Sequence, residues 1–235
     1  TNEKLKEVIL DNNSKKGTLI IPSFTVDRAQ DIMYQIWVLK SNGEIPDIPV
    51  FLDSPMASSV SQLYFKYSEW NILGSHVLNK VMESVEIIKS AQETEELSKD
   101  SDSKIIIAGS GMMNGGRVLS YLKEELPNPN STILITGFQA EGTRGRMLME
   151  GAHEIKIEGQ YYPVKAKIEI VNTLSSHADQ NGILVWLEKI KVKPGIVFIS
   201  HGEPMASNAL RVKLKDTFGW DNIILPKLME KFDLF

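Results

Sequence analysis

The spacing of apolar positions along the chain switches between two periods. From Asn2 to Asn12, Leu5, Val8 and Ile9 recur at helical spacing among Lys and Glu, and Ser14-Lys15-Lys16-Gly17 closes the segment as a cap and turn. Thr18-Leu19-Ile20-Ile21-Pro22 is a continuous apolar run, the pattern of a strand covered on both faces. After Ser23-Phe24-Thr25, an amphipathic helix is predicted from Asp27 to Lys40, with Ala29, Ile32, Met33, Ile36 and Trp37 in one stripe. The alternation then repeats. A strand at Ile48 to Leu52 ends in Asp53-Ser54-Pro55-Met56 and precedes a helix from Ser58 to Tyr67. Glu69 to Leu78 fits neither period. A short strand at Ser84 to Lys89 precedes a polar helix at Thr94 to Lys99. Lys104-Ile105-Ile106-Ile107-Ala108 breaks into Gly109-Ser110-Gly111-Met112-Met113-Asn114-Gly115-Gly116 before a helix from Arg117 to Leu126. Thr132 to Thr136 is another strand, ending in Gly137-Phe138-Gln139-Ala140-Glu141-Gly142-Thr143. Strands alternating with helices in this way predict an α/β fold, a mostly parallel sheet flanked by helices on both faces.

The texture changes after about Glu150. Glu154 to Ile157 and Lys165 to Ile170 alternate polar and apolar residues, which predicts half-exposed antiparallel strands joined by Gly159 to Pro163. The loop Thr173-Leu174-Ser175-Ser176-His177-Ala178-Asp179 follows, then a helix from Asp179 to Lys189 and a strand from Gly195 to Ser200. A second histidine loop, Ser200-His201-Gly202-Glu203-Pro204, opens a helix reaching Phe218, and Asn222 to Pro226 is a last short strand. A domain boundary near Glu150 is expected, dividing the chain into 1–150 and 151–235.

Composition narrows the function. A chain of 235 residues, 42% hydrophobic, is ample for a large core. The net charge of −4 offers no global positive field, which argues against a basic protein that coats nucleic acid. With no cysteine, a disulfide scaffold and a thiolate zinc site are both excluded, so a metal would need His, Asp or Glu. No apolar run approaches the roughly 20 residues of a membrane span, and no signal-peptide pattern opens the chain. No membrane partner and a cytoplasmic location are therefore expected. The chain starts within a predicted helix and without Met, so it reads as a fragment of a longer protein.

Candidate chemistry gathers at the C-terminal ends of the predicted strands, where open α/β sheets bind ligands. The glycine-rich loop 109–116 leads into a helix, so its backbone N–H groups could hold a phosphate. Its glycines, at 109, 111, 115 and 116, match neither G-x-G-x-x-G nor a P-loop. A tight turn that needs glycine explains them equally well. Met112 and Met113 either pack the loop down or offer an apolar shelf to a base. Arg144 and Arg146 have the chemistry to grip a phosphate, against a plain solvated first turn. Glu141 reads as a ligand, an acid/base or, by spacing, a loop brace. Of the four histidines, His177 and His201 each follow an apolar strand and sit among small residues that would let a ligand approach. Ser175, Asp179 and Glu203 add acceptors able to orient the rings. His76 and His153 lack such a setting. Two histidines fall short of the three protein ligands usual in a hydrolytic zinc site.

Ser175-Ser176-His177-Ala178-Asp179 and Ser200-His201-Gly202-Glu203 resemble signature motifs of the β-CASP branch of the metallo-β-lactamase superfamily, which includes ribonuclease J and the cleavage and polyadenylation nuclease. Ile21-Pro22-Ser23-Phe24 through Arg28-Ala29-Gln30, Asp53-Ser54-Pro55-Met56-Ala57, Gly109 to Met113 and Gly137 to Thr143 match the same branch in the same order. The resemblance is closest to short prokaryotic members. It implies a β-CASP domain over about 14–150, followed by the C-terminal part of a metallo-β-lactamase αββα domain. It implies a zinc-dependent phosphodiester hydrolase, a ribonuclease or exonuclease of RNA processing or degradation. In that reading His201 is a zinc ligand, His177 a proton donor or phosphate-orienting group, and Ser175 a phosphate contact. Ser110, Gly111, Met112, Gly137, Glu141, Thr143, Arg144, Gly202 and Glu203 would line the path of the RNA. The full-length enzyme would hold two Zn2+ ions and act on single-stranded RNA, with DNA as the alternative and a homodimer as a candidate assembly.

The family's H-x-H-x-D-H motif precedes the β-CASP domain and is not in this sequence. The fragment alone is therefore expected to hold no binuclear zinc and to cleave no RNA. Two other readings stand beside this one: a non-catalytic RNA-binding or scaffold β-CASP module, and a nucleotide-binding α/β domain built on loop 109–116. Endonuclease and 5′-exonuclease action are not separated by these residues.

Overall fold

The continuous apolar runs become the middle of a parallel sheet. The computed structural model describes residues 2–171 and 177–234, and the chain divides into two compact units, 1–174 and 175–235. The first unit begins with α1 (Asn2–Ser14), β1 (Thr18–Pro22), α2 (Arg28–Ser41), β2 (Val50–Asp53) and α3 (Pro55–Lys66). A 3-10 turn (Ser68–Trp70), α4 (Gly74–Glu83), β3 (Glu86–Ile87), α5 (Ala91–Lys99), β4 (Lys104–Ala108) and α6 (Val118–Glu125) follow. Then come β5 (Thr132–Ile135), α7 (Arg144–Met149), β6 (Glu154–Ile157), β7 (Gln160–Pro163) and β8 (Lys167–Ile170). Six strands align in the order β3-β2-β4-β1-β5-β8, and every neighbouring pair is parallel.

Every residue of β1, β4 and β5 is buried because helices cover both faces. The period of two sorts their side chains into separate cores. Leu19, Ile21, Leu52, Ile105, Ile107 and Leu134 pack with Leu5, Ile9, Ile32, Met33 and Ile36 from α1 and α2. Ile20, Ile106, Ile133 and Ile135 pack on the other side with Tyr121 and Leu122 of α6, Leu148 of α7, and Ile155 and Ile157 of β6. In α2 the fully buried stripe runs on to Leu39. Trp37 is only partly buried and instead stacks on Tyr34, with ring centroids 6.0 Å apart.

Two expectations for the segment after Glu150 are corrected. The antiparallel partner of β6 is β7, which occupies most of the stretch read as a connection. The turn between them is Glu158-Gly159, with φ of 49° and 90°, a left-handed pair that twists with the strands. Strand β8 leaves the hairpin and pairs parallel with β5, from Thr132 opposite Lys167 to Ile135 opposite Ile170. Its half-exposed pattern reflects its outermost place in the sheet, not an antiparallel ladder. The stretch that fitted neither period holds the 3-10 turn and the start of α4.

The second unit contains α8 (Gln180–Leu187), β9 (Val197–Phe198), α9 (Pro204–Phe218) and β10 (Ile223–Ile224). The two strands pair in parallel. Leu184, Leu214, Trp220 and Ile223 form the core of this unit. Gly219, at φ 64°, ends α9 in the left-handed conformation that glycine adopts without strain. Among the described residues no helix is long and apolar enough to cross a membrane.

Candidate functional site

Strands β2, β4, β1 and β5 lie side by side, so the loops at their C-terminal ends form one cluster in the first unit. The ladder runs on into these loops: Ser23 N–H donates to the Ala108 carbonyl at 2.9 Å and Gly109 N–H to the Asp53 carbonyl at 3.3 Å. The Gln30 amide ties the first loop to α3, donating to Thr25 O at 3.2 Å and Ser61 Oγ at 3.0 Å. Asp53 is fully buried at the end of β2. Its Oδ1 accepts from Arg117 Nη1 at 2.7 Å, and its Oδ2 from Thr94 Oγ1 at 2.6 Å and Tyr121 OH at 2.5 Å. Burial, followed by the adjacent Asp53 carboxylate, pushes the Tyr121 phenol well above its ordinary range. Asp53 thus anchors the loop cluster from beneath.

Two glycines of loop 109–116, Gly111 and Gly116, are needed for close approach. A Cβ on Gly116, at φ 75°, would stand 2.8 Å from the Gly109 carbonyl oxygen, and one on Gly111 would stand 2.8 Å from the Phe24 ring. Gln139 clamps the loops together: its buried Nε2 donates to Gly111 O at 2.9 Å and Gly137 O at 3.2 Å. Gly145 lies against the same amide, where a Cβ would be 1.6 Å from Gln139 Oε1.

Ser110, Gly111, Met112, Gly137, Thr143 and Arg144 are therefore drawn into this one cluster, and Glu141 is an exposed residue of the 137–143 loop. Within it their situations differ. Ser110 and Met112 are half-exposed, and Met113 is fully buried as a packing residue. Thr143 caps α7, accepting from Arg146 N–H at 3.2 Å while its hydroxyl donates to Ala140 O at 2.7 Å. Arg144 spends Nε and Nη1 on backbone, donating to Lys156 O at 2.7 Å, Asn114 O at 3.1 Å and Met113 O at 3.3 Å. Arg146 pairs with Glu150 at 2.5 Å. Gln139 and Arg117 carry this architecture although no sequence signal singled them out, because their partners lie 28 and 64 residues away.

In the second unit His177 and His201 are both exposed, each just before a helix. Asp179 caps α8, its Oδ1 accepting from Gly182 N–H at 2.7 Å. His201 adopts φ 65°, a left-handed conformation uncommon outside glycine and enriched at functional sites. Gly202 then presses against α9, where a Cβ would meet Ser207 Oγ at 2.3 Å. Glu203 is the N-cap residue of α9, with Pro204 at the first helical position. Ser175 lies outside the described residues.

Residues 29–148 match the family model described as the Beta-Casp domain, which covers half of the chain. The chain belongs to the β-CASP family. A second match, over residues 161–226, is to a Zn-dependent metallo-hydrolase RNA specificity domain. The β-CASP loops 53–56, 109–116 and 137–143 fall in the first match, and His177, His201, Gly202 and Glu203 fall in the second. Among β-CASP relatives, the chain is 30% identical to ribonuclease TTHA0252 of Thermus thermophilus over 210 residues, 86% of this chain and 47% of the relative. It is 32% identical to an RNase J-like protein of Methanocaldococcus jannaschii over 226 residues, 95% of this chain and 51% of the relative. It is also 28% identical to the transcription termination factor FttA of Methanosarcina mazei, covering 87% of this chain and 34% of that protein. The chain spans about half the length of the first two relatives.

The description of the second match names zinc. Among the described residues no group of three or more His, Asp or Glu side chains comes together to hold a metal ion. A hydrolytic zinc site usually takes three protein ligands, so the described residues do not by themselves compose one.

Proposed function

We propose that this chain is the RNA-handling part of a ribonuclease that hydrolyses phosphodiester bonds in single-stranded RNA. The observation that carries the reading is the placement of His177 and His201, each at a helix entrance, inside the segment that matches an RNA specificity domain. Names of relatives, a ribonuclease and an RNase J-like protein, support the same reaction class. Hydrolysis needs a proton delivered to the departing oxygen, and an exposed imidazole is suited to that near neutral pH. We assign this role to His177. We assign His201 as one ligand of a zinc centre whose set is completed outside the described residues, with Ser175 and Glu203 as neighbours of the phosphate. The loop cluster of the first unit would steer the RNA, with Ser110 and Met112 offered to it and Thr143 and Arg144 holding the loops in shape.

The test uses the full-length protein. His201→Ala is expected to lower zinc content by elemental analysis and to abolish cleavage. His177→Ala is expected to keep its zinc and slow cleavage by roughly 10²- to 10⁴-fold. Equal zinc loss in both variants would contradict the two roles. A full-length protein with its zinc that leaves single-stranded RNA intact would refute the reaction and favour a non-catalytic RNA-binding module. The 235-residue chain alone is expected to hold no zinc pair and to leave RNA uncut.

A further inference from the structure

Phe24 sits in the turn after β1 with 40% of its surface exposed. A single exposed aromatic is ordinary, but the mounting of this one is not. A Cβ on Gly111 would meet the ring atoms Cδ2, Cε2 and Cγ at 2.8, 2.9 and 3.0 Å. Three adjacent ring carbons at nearly equal distance put Gly111 over the face of the ring, because an in-plane approach to Cδ2 would leave its two neighbours clearly farther away. Gly137 lies beside the same ring edge, where an added Cβ would stand 3.4 Å from Cε2 and 3.7 Å from Cδ2. The Gln139 amide holds the carbonyls of both glycines. At Gly111 the ring therefore rests on backbone where a side chain would not fit, and 40% of the residue's surface stays open to solvent. Phe138, 63% exposed, follows Gly137 directly on the neighbouring strand's loop.

We propose that Phe24 is a stacking platform for one nucleobase of the RNA, at the C-terminal mouth of the parallel sheet. This rests on the ribonuclease reading above. A flat apolar face held rigidly loses little freedom when a base settles on it. Base–aromatic stacking tolerates any sequence, since every base has a π face. That suits an enzyme that must grip successive nucleotides without choosing among them. Phe24 touches no reacting atom in this assignment. It is a positioning residue, and its loss should appear in binding and KM with kcat retained.

The experiment measures binding of a phosphorothioate-linked RNA oligomer to the full-length protein by fluorescence anisotropy, with a single abasic nucleotide moved along the strand. One abasic position is expected to weaken binding to the unsubstituted protein by roughly 5- to 100-fold. Phe24→Leu should weaken the intact oligomer by a similar factor and be insensitive to that abasic position, whereas Phe24→Tyr should bind within about twofold of the unsubstituted protein. Phe24→Met replaces Phe24→Leu if the latter melts at lower temperature. The platform is overturned if no abasic position matters, or if the abasic penalty persists in the aliphatic variant. An unsubstituted protein that binds no RNA at all instead removes the ribonuclease reading.

Discussion

Asp53 shows what a single carboxylate can do when it is buried and saturated with donors. Its partners Thr94, Tyr121 and Arg117 come from α5, from α6 and from the residue leading into α6, so the hub ties β2 to the helical layer. Arg117→Ala would leave that carboxylate buried beside two hydroxyls and no cation, and a loss of about 3–5 kcal/mol in urea unfolding is expected. The Tyr121 phenol adds a pH dependence. Its folded pKa is raised above the ordinary value of 10.0, so the folded protein keeps a proton that the unfolded chain releases. The stabilisation is complete below about pH 10 and declines as pH rises beyond it. Tyr64, pushed up to about 12 by burial and then by Asp27, acts in the same direction. Unfolding midpoints followed from about pH 8 to 11 should fall less steeply in Tyr121→Phe than in the unsubstituted protein. None of this was legible in the sequence. Asp53 was visible only as part of a loop motif, and its partners lie 41, 64 and 68 residues along the chain.

Elements were legible in proportion to their burial. Strands β1, β4 and β5 are continuous apolar runs because both faces are covered, and their bounds agree with the pattern to within a residue. The start of α4 gave no signal: its first residue is Gly74 at φ 68°, and it has no side-chain cap. Strand β8 was misread because alternation reports one covered face and says nothing of the partner's direction, and β7 was read as a connection. The loop motifs were visible as glycine clusters, but the reason for the glycines was not, since it lies in contacts that only the folded loops make, with Phe24 at Gly111 and with the Gly109 carbonyl at Gly116. Gly145 makes the point testable. Gly145→Ala would drive a methyl group into the Gln139 amide, and a loss of about 1–3 kcal/mol is expected from thermal melting. In Gly145→Ala combined with Gln139→Ala the clash has no target, so the two losses should sum to more than the double variant shows. Strict additivity would mean that the clamp is not what excludes a side chain there.

At the scale of the whole molecule, the sequence changes texture near Glu150, and the first family match ends at residue 148 while the second begins at 161. The compact unit nevertheless runs on to residue 174, because β8 returns to the sheet of the first unit. Its position has a consequence for any shortened form of the protein. Thr132-Ile133-Leu134-Ile135 is uncharged, fully buried and flat in pattern. On its outer side β5 is shielded by a strand that carries Lys167 and Glu169, which pair with each other and reach Asp11 and Lys4 of α1. Charged residues on an outermost strand are a common guard against edge-to-edge aggregation. A chain cut at Glu150 would keep nearly all of the matched β-CASP segment and lose that guard, leaving the N–H and C=O groups of β5 open to pair with another copy. Such a chain is expected to self-associate with rising concentration in sedimentation velocity, and one that ends at residue 174 is not.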